Sequence, residues 1–107
     1  MKISDIKREM KKYPLFYRKV WLKCMEIPFG QTRSYKWIAK EIGRPKAFRA
    51  VALALKRNPF APYVPCHRVI RSDGTIGGYS ALGGAEKKRE MIIKEKELAK
   101  RNKKKSF

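Results

Sequence analysis

The chain is poor in cysteine, histidine, acidic residues and long apolar runs, and each shortage excludes something. Two cysteines and one histidine in 107 residues fall short of the ligands for an ordinary closed structural zinc site. No metal and no other cofactor is therefore expected. No continuous apolar run approaches the ~20 residues that cross a bilayer, so a membrane-embedded protein is excluded. The opening MKISDIKREMKK puts charges where a signal peptide carries its apolar stretch. A cytoplasmic protein is expected, and there a disulfide between the two thiols is not. Acids are the scarcest class for the size: nine Asp and Glu stand against 28 Lys and Arg, a net charge of +19.

What is present fits one small folded domain, residues 1–107, with one hydrophobic core; the hydrophobic content of 43% with 11% aromatics is ordinary for such a domain. The excess of cations opposes self-association, so a monomer is expected, and it attracts polyanions, of which nucleic acid is the usual one for such a domain. A cation-rich surface suited to an unusual habitat is the lesser alternative reading of the charge. Part of the charge is local. Ala85 to Lys105 ends in Lys100, Arg101 and Lys103 to Lys105, yet without those five cations the +19 falls only to +14. Residues 99–107 are expected to form a flexible basic tail adding salt-sensitive phosphate affinity.

Periodicity predicts mainly helical structure. Residues 1–12 form a short helix, with Ser4 as cap and Ile3, Ile6 and Met10 along one side. A second helix runs from Pro14 to about Glu26, with Phe16, Val20, Trp21 and Cys24 at helical spacing and Pro28 setting its end; Cys24 is then a small core hydrophobe. Ser34 caps a third helix, Tyr35 to Ile42, which Gly43 ends. Pro45 opens a fourth, with Ala47, Ala50, Val51, Ala54 and Leu55 on one face and Arg49, Ala52, Leu53 and Lys56 on the other. The last two helices read as a helix-turn-helix. From Asn58 to Gly84 the chain is rich in Pro and Gly, with β-like stretches at Tyr63-Val64 and Arg68-Val69-Ile70 and a turn at Ser72-Asp73-Gly74. A closing helix starts near Ala85 and includes Met91, Ile92 and Leu98.

The chemistry concentrates at Pro65-Cys66-His67-Arg68. Only a thiolate is strongly nucleophilic, and a neighbouring base raises its fraction. In a strand, however, successive side chains point to opposite faces. His67 serves Cys66 only if the backbone bends here or a water bridges them. Spacing alone leaves a catalytic pair and a structural Cys beside a surface His both open.

PCHRVI, preceded by RNPFAPYV and followed by SDGTIGGYS, resembles the active-site region of the O6-alkylguanine-DNA alkyltransferases, or methylated-DNA–protein-cysteine methyltransferases. IPFGQTRSY and GRPKAFRAV resemble that family's approach to the helix-turn-helix and its recognition helix, and the likeness runs from about Phe16 to Glu95. It implies a small helical domain with a winged-helix-like helix-turn-helix and a short β or irregular active-site segment. It further implies single-use transfer of an alkyl group from O6 of a flipped guanine in duplex DNA to Cys66, approached through the minor groove. His67 matches the histidine that takes the thiol proton through a water. Glu95 matches the glutamate that orients it, by registering KREMIIKE against the closing helix, with Glu97 as the alternative. Asn58 matches the asparagine that braces the turn before the active site. Tyr35 matches the tyrosine that donates to the guanine ring and touches the flanking phosphate, and Lys88 the lysine that assists it. Arg49 matches the arginine that enters the stack vacated by the base; Ala50, Ala52 and Lys56 lie on the same DNA-reading helix. Tyr79 and Ser80, with Val64 and Pro65, match the walls of the base pocket.

The resemblance has departures. Phe48 and Leu53 are bulkier than the family's usual small residues, Ala61 stands where many members carry proline, and Pro62 is added. Residues 1–12 stand for at most the last helix of the larger amino-terminal domain that many members carry. Two other functions fit parts of the pattern. An alkyltransferase-like protein that binds the lesion without reacting is opposed by the presence of Cys66. A basic helix-turn-helix regulator explains the charge but not the grouping of Cys66, His67, Tyr35 and Asn58. A cytoplasmic protein associated with the nucleoid is the expected setting.

Overall fold

The computed structural model describes residues 2–76 and 84–104, the last three of these as backbone only. Five α-helices carry most of these residues: α1 (Ile3–Met10), α2 (Leu15–Met25), α3 (Tyr35–Glu41), α4 (Phe48–Lys56) and α5 (Gly84–Lys104). The β content is one parallel pair, β1 (Arg33–Ser34) with β2 (Val69–Ile70), in which Arg33 faces Val69 and Ser34 faces Ile70. The mainly helical class and the helix-turn-helix expected from periodicity are observed.

Trp21 fixes how these helices pack. It is fully buried with Val20 and Cys24 on the inner face of α2, and its indole Nε1 donates to Ala54 O of α4 at 2.9 Å. Tyr13 and Phe60 meet its ring edge-on, with centroids 5.0 and 5.6 Å away. Edge-to-face contact favours the opposed ring quadrupoles, and the hydrogen bond satisfies the one polar atom that burial would otherwise orphan. Ile6 and Met10 of α1 insert into the same core, as do Ile38, Val51, Ala54, Leu55 and Val69.

The ends of the helices follow local chemistry. Ser34 Oγ accepts from Trp37 N at 2.9 Å, capping α3 as expected. Gly43, at φ 78°, takes the left-handed conformation that stops α3, and Arg44 N then donates back to Ala39 O at 2.8 Å. Two boundaries and one helix face differ from the sequence reading. The cap of α1 is Lys2, not Ser4. There Asp5 accepts from the Lys2 backbone N at 3.2 Å, so an acid in the first turn does the capping. α4 begins at Phe48; Pro45 lies in the turn that Ala47 N closes on Arg44 O at 2.9 Å, where its fixed φ suits a turn as well as a helix start. Ala50 is exposed, so the inner face of α4 is Val51, Ala54 and Leu55.

Tyr63-Val64 is not a strand. Residues 61–64 form a turn, because Val64 N is bonded to Phe60 O at 3.0 Å instead of to a neighbouring strand. At the other end, α5 runs on to Lys104, so the basic segment from residue 99, expected as a flexible tail, is helical through 104. Gly30 brings the Ile27–Gln31 loop against this helix. At φ 85°, a Cβ there would stand 2.6 Å from Ala99 Cβ and 3.4 Å from Glu95 O. Only glycine permits that approach, and the approach sets the depth of Glu95.

Candidate active site

Cys66 begins a single 3-10 turn, Cys66–Arg68. Arg68 N donates to Pro65 O at 2.9 Å, and Cys66 N to Val64 O at 2.8 Å. The bend is the one that adjacency required, since a 3-10 turn fans successive side chains about a third of a rotation apart instead of alternating them. Asn58 holds the bend from outside: Nδ2 donates to Val64 O at 3.0 Å while Oδ1 accepts from Phe60 N at 2.8 Å. Cys66 is 6% exposed and His67 2%. Burial pushes the Cys66 thiol above its ordinary range, with Asn58's hydrogen bond and the charge of Lys88 pulling the other way. A resting protonated thiol follows, which needs a base to react.

The adjacent imidazole is held by α5. His67 Nε2 lies 2.8 Å from Glu95 Oε2. Burial opposes ionisation of Glu95, but hydrogen bonds from Arg68 and His67 hold its carboxyl below the ordinary range. An ionised carboxylate only accepts, so Nε2 of His67 carries the shared proton. In the neutral ring, Nδ1 is then the basic nitrogen, and it is buried with no hydrogen-bonding partner among the described residues. Of the two glutamates open on sequence grounds, Glu95 makes this contact; Glu97 is exposed.

Arg68 is a residue that sequence reasoning did not single out. Its Nε and Nη2 grip both oxygens of Glu95 at 2.8 and 3.1 Å, and Nη1 donates to Ile27 O at 2.9 Å. The guanidinium also lies over Phe29, 5.5 Å from the ring centroid. A planar fork of donors is suited to a carboxylate in this way. The sequence signal was present, an arginine directly after the Cys-His pair, but its partner lies 27 residues away on another element.

Tyr35 and Lys88 form the second half of the site. Lys88 is 1% exposed, and its Nζ donates to the Tyr35 hydroxyl at 3.1 Å. Burial lowers the Lys88 ammonium to about 8 and raises the Tyr35 phenol, with the Cys66 charge acting on both. Tyr35 is thus a protonated phenol whose oxygen is already engaged as an acceptor. Cys24 is fully buried in the core, where desolvation raises its thiol far beyond the range in which it ionises. Both cysteines are free thiols.

Beside Tyr35 opens a cleft of about 490 Å³, walled by Tyr35, Lys36 and Phe48, by Arg49 and Ala52 of α4, and by Arg71 to Asp73. Arg49, Ala50, Leu53 and Lys56 face outward on α4, with Ala52 half-buried. Val64 and Pro65 are buried immediately before Cys66 and do not line this cleft. Tyr79 and Ser80 lie outside the described residues.

The family model for the DNA-binding domain of 6-O-methylguanine DNA methyltransferase matches residues 15–97. The chain belongs to that family. Among curated relatives, the methylated-DNA–protein-cysteine methyltransferase of Methanosarcina barkeri is 56% identical over 66 residues, covering 62% of this chain and 42% of that protein. Among solved structures, Mycobacterium tuberculosis OGT in complex with DNA superposes with a TM-score of 0.76 at 47% identity, covering 79% of this chain and 52% of that one. S. pombe Atl1, in complex with damaged DNA containing O6-carboxymethylguanine, gives 0.67 at 36% identity, covering 75% and 74%. The chain spans about half the length of the curated relatives it matches. Among the described residues, no helix is long and apolar enough to cross a membrane.

Proposed function

We propose that this chain repairs duplex DNA by taking an alkyl group from O6 of guanine onto its own Cys66, irreversibly and once per molecule. The observation that carries the reading is the buried Cys66 thiol at a 3-10 turn beside a histidine whose Nε2 is tied to Glu95, within a chain of this family. The alkyl carbon is sp3, so transfer is an in-line displacement, for which a thiolate is the suitable soft nucleophile. The thiol proton passes to Nδ1 of His67 through the bridging water that the family resemblance implies, and Glu95 stabilises the imidazolium. The S–C bond forms as the C–O6 bond breaks. The departing guanine takes a proton from Tyr35; the phenolate then regains a proton from solvent as the His67 imidazolium releases its own to solvent, so the net transfer is one proton from thiol to base. Lys88 holds the phenol oxygen from the other side. The product is a thioether, which no group in the site hydrolyses.

Reaching a buried thiol requires the base to leave the helix, at a cost of a few kcal/mol. α4 enters the minor groove with Ala50 and Ala52 at the narrow approach, Lys56 at the backbone and Arg49 filling the vacated stack. The family resemblance assigns Tyr79 and Ser80, with Val64 and Pro65, to the walls of the base pocket. The whole chain acts as one DNA-binding and active-site domain, a monomer in the cytoplasm with the nucleoid, requiring no cofactor or metal. Incubation with a duplex carrying O6-methylguanine tests the reading by intact mass. The expected result is a gain of one methyl group in the wild type and in Cys24→Ala, and none in Cys66→Ala. Tight lesion binding with no mass gain indicates a nonreactive lesion-binding protein instead. Equal binding to damaged and undamaged duplex, without mass gain, indicates a regulator.

A further inference from the structure

Arg71 has no part in the chemistry above, yet the fold delivers it to the mouth of the site. Ser34 is registered with Ile70 in the β1–β2 pair, so the residues that follow, Tyr35 and Arg71, leave the same end of the pair as neighbours. The chain then reverses tightly: Arg71 N donates to Thr75 O and Gly74 N to Arg71 O, both at 2.9 Å. Gly74 supplies the positive φ of 89°. The backbone of Arg71 is thereby fixed while its side chain is exposed.

Arg71 shares the cleft with Lys36 and Arg49, with Tyr35 among them. The one acid among the lining residues is Asp73, and its carboxylate is already held by Thr75, from N at 2.9 Å and from Oγ1 at 2.7 Å. Three cations around a concave surface outnumber that one carboxylate, which also lies within range of Arg71, and leave a net positive site for an anion. Arg71's charge also reaches Tyr35 and Lys88 and lowers both, which puts the guanidinium within electrostatic range of the reacting group. A displaced nucleotide carries its phosphodiesters with it, and a guanidinium matches phosphate oxygens two at a time.

We infer that Arg71, with Lys36 of the same cleft, grips a phosphodiester beside the displaced nucleotide and so fixes its base against Tyr35 and Cys66. The inference rests on the proposed repair of duplex DNA. It assigns Arg49 to the stack, and Arg71 and Lys36 to the backbone of the lesion strand.

The test uses O6-methylguanine duplexes in which each linkage flanking the lesion is replaced singly by a neutral methylphosphonate. Binding of the wild type, Arg71→Gln and Arg71→Lys is measured across a range of salt. Arg71→Gln is expected to bind roughly tenfold more weakly, with the slope of log affinity against log salt reduced by about 1. Arg71→Lys keeps the slope. One methylphosphonate linkage weakens the wild type by a similar factor and leaves Arg71→Gln unchanged, the non-additivity expected of two groups in contact. Wild-type affinity and slope in Arg71→Gln overturn the inference. So does a scan in which every linkage weakens both proteins alike. Methyl transfer by the wild type in the same mixtures reports separately on the repair reaction. Its failure leaves the binding data to judge Arg71.

Discussion

At the scale of single residues, the site depends on two ionisations that the fold alters in opposite ways. Glu95 is held below its ordinary value by Arg68 and His67 against the effect of burial. Its contribution to stability is therefore full above the unfolded carboxylate pKa of about 4.3 and is lost as pH falls through the lower folded value. Glu95→Gln should flatten the acid limb of a stability–pH profile and slow methyl transfer by about tenfold or more, since it removes the acceptor that fixes the His67 tautomer. An unchanged acid limb would show that the ion pair is not formed in solution. Lys88 is also lowered, from its ordinary value near 10.4 to about 8, but for an ammonium this disfavours the charged form where for Glu95 it favours it. Between those values the unfolded chain binds more protons, so this group's contribution to stability rises with pH through that window. Its buried charge is a cost at neutral pH. Lys88→Met should raise Tm at pH 7 while slowing transfer by about tenfold, and a lowered Tm contradicts this account of Lys88.

Elements place those residues, and here the sequence was legible only where the cause is local. Ser34 and Gly43 read correctly because a cap and a left-handed stop are decided within three or four residues. Pro45 misled because a fixed φ serves a turn and a first helical turn alike. Tyr63-Val64 misled because β-branched and aromatic residues also pack in a turn when no strand is available to pair with. The choice between Glu95 and Glu97, and the role of Arg68, needed the packing of α5 on the loop from Ile27, which no local pattern encodes. Gly30 is where that packing is tightest. Gly30→Ala should destabilise the protein by about 2 kcal/mol or more, from the strained φ and the overpacking together. It should also slow transfer beyond any loss of folded fraction, because α5 carries both Glu95 and Lys88. Thermal melts alongside single-turnover rates check both, and a variant with lower Tm but a full rate removes the link between loop and relay. Trp21→Phe keeps most of the buried ring but deletes the bond to Ala54, at a cost of about 1–2 kcal/mol by denaturant titration.

For the whole molecule, charge and family decide different things. The net +19 pointed to a polyanion from composition alone, but not to a lesion, and nothing in composition distinguishes a repair protein from a regulator. The proposed repair reading rests on the family and on a few side chains that the fold gathers: Cys66, His67 and Arg68 on one turn, Glu95 and Lys88 on α5, and Tyr35 at the head of α3. Binding to undamaged duplex should be steeply salt-dependent. A fall of roughly a thousandfold or more between 50 and 200 mM salt is expected if six or more phosphates are contacted, measurable by fluorescence anisotropy. A shallow slope would assign the surface charge to something other than DNA. The most direct measurement of the central claim is peptide mapping by mass spectrometry after reaction with excess O6-methylguanine duplex. The account predicts one methyl group per chain, saturating at that value, on the sulfur of Cys66, with unmodified guanine left in the DNA. A methyl group on Cys24 or spread among other residues, or turnover beyond one per chain, would contradict it.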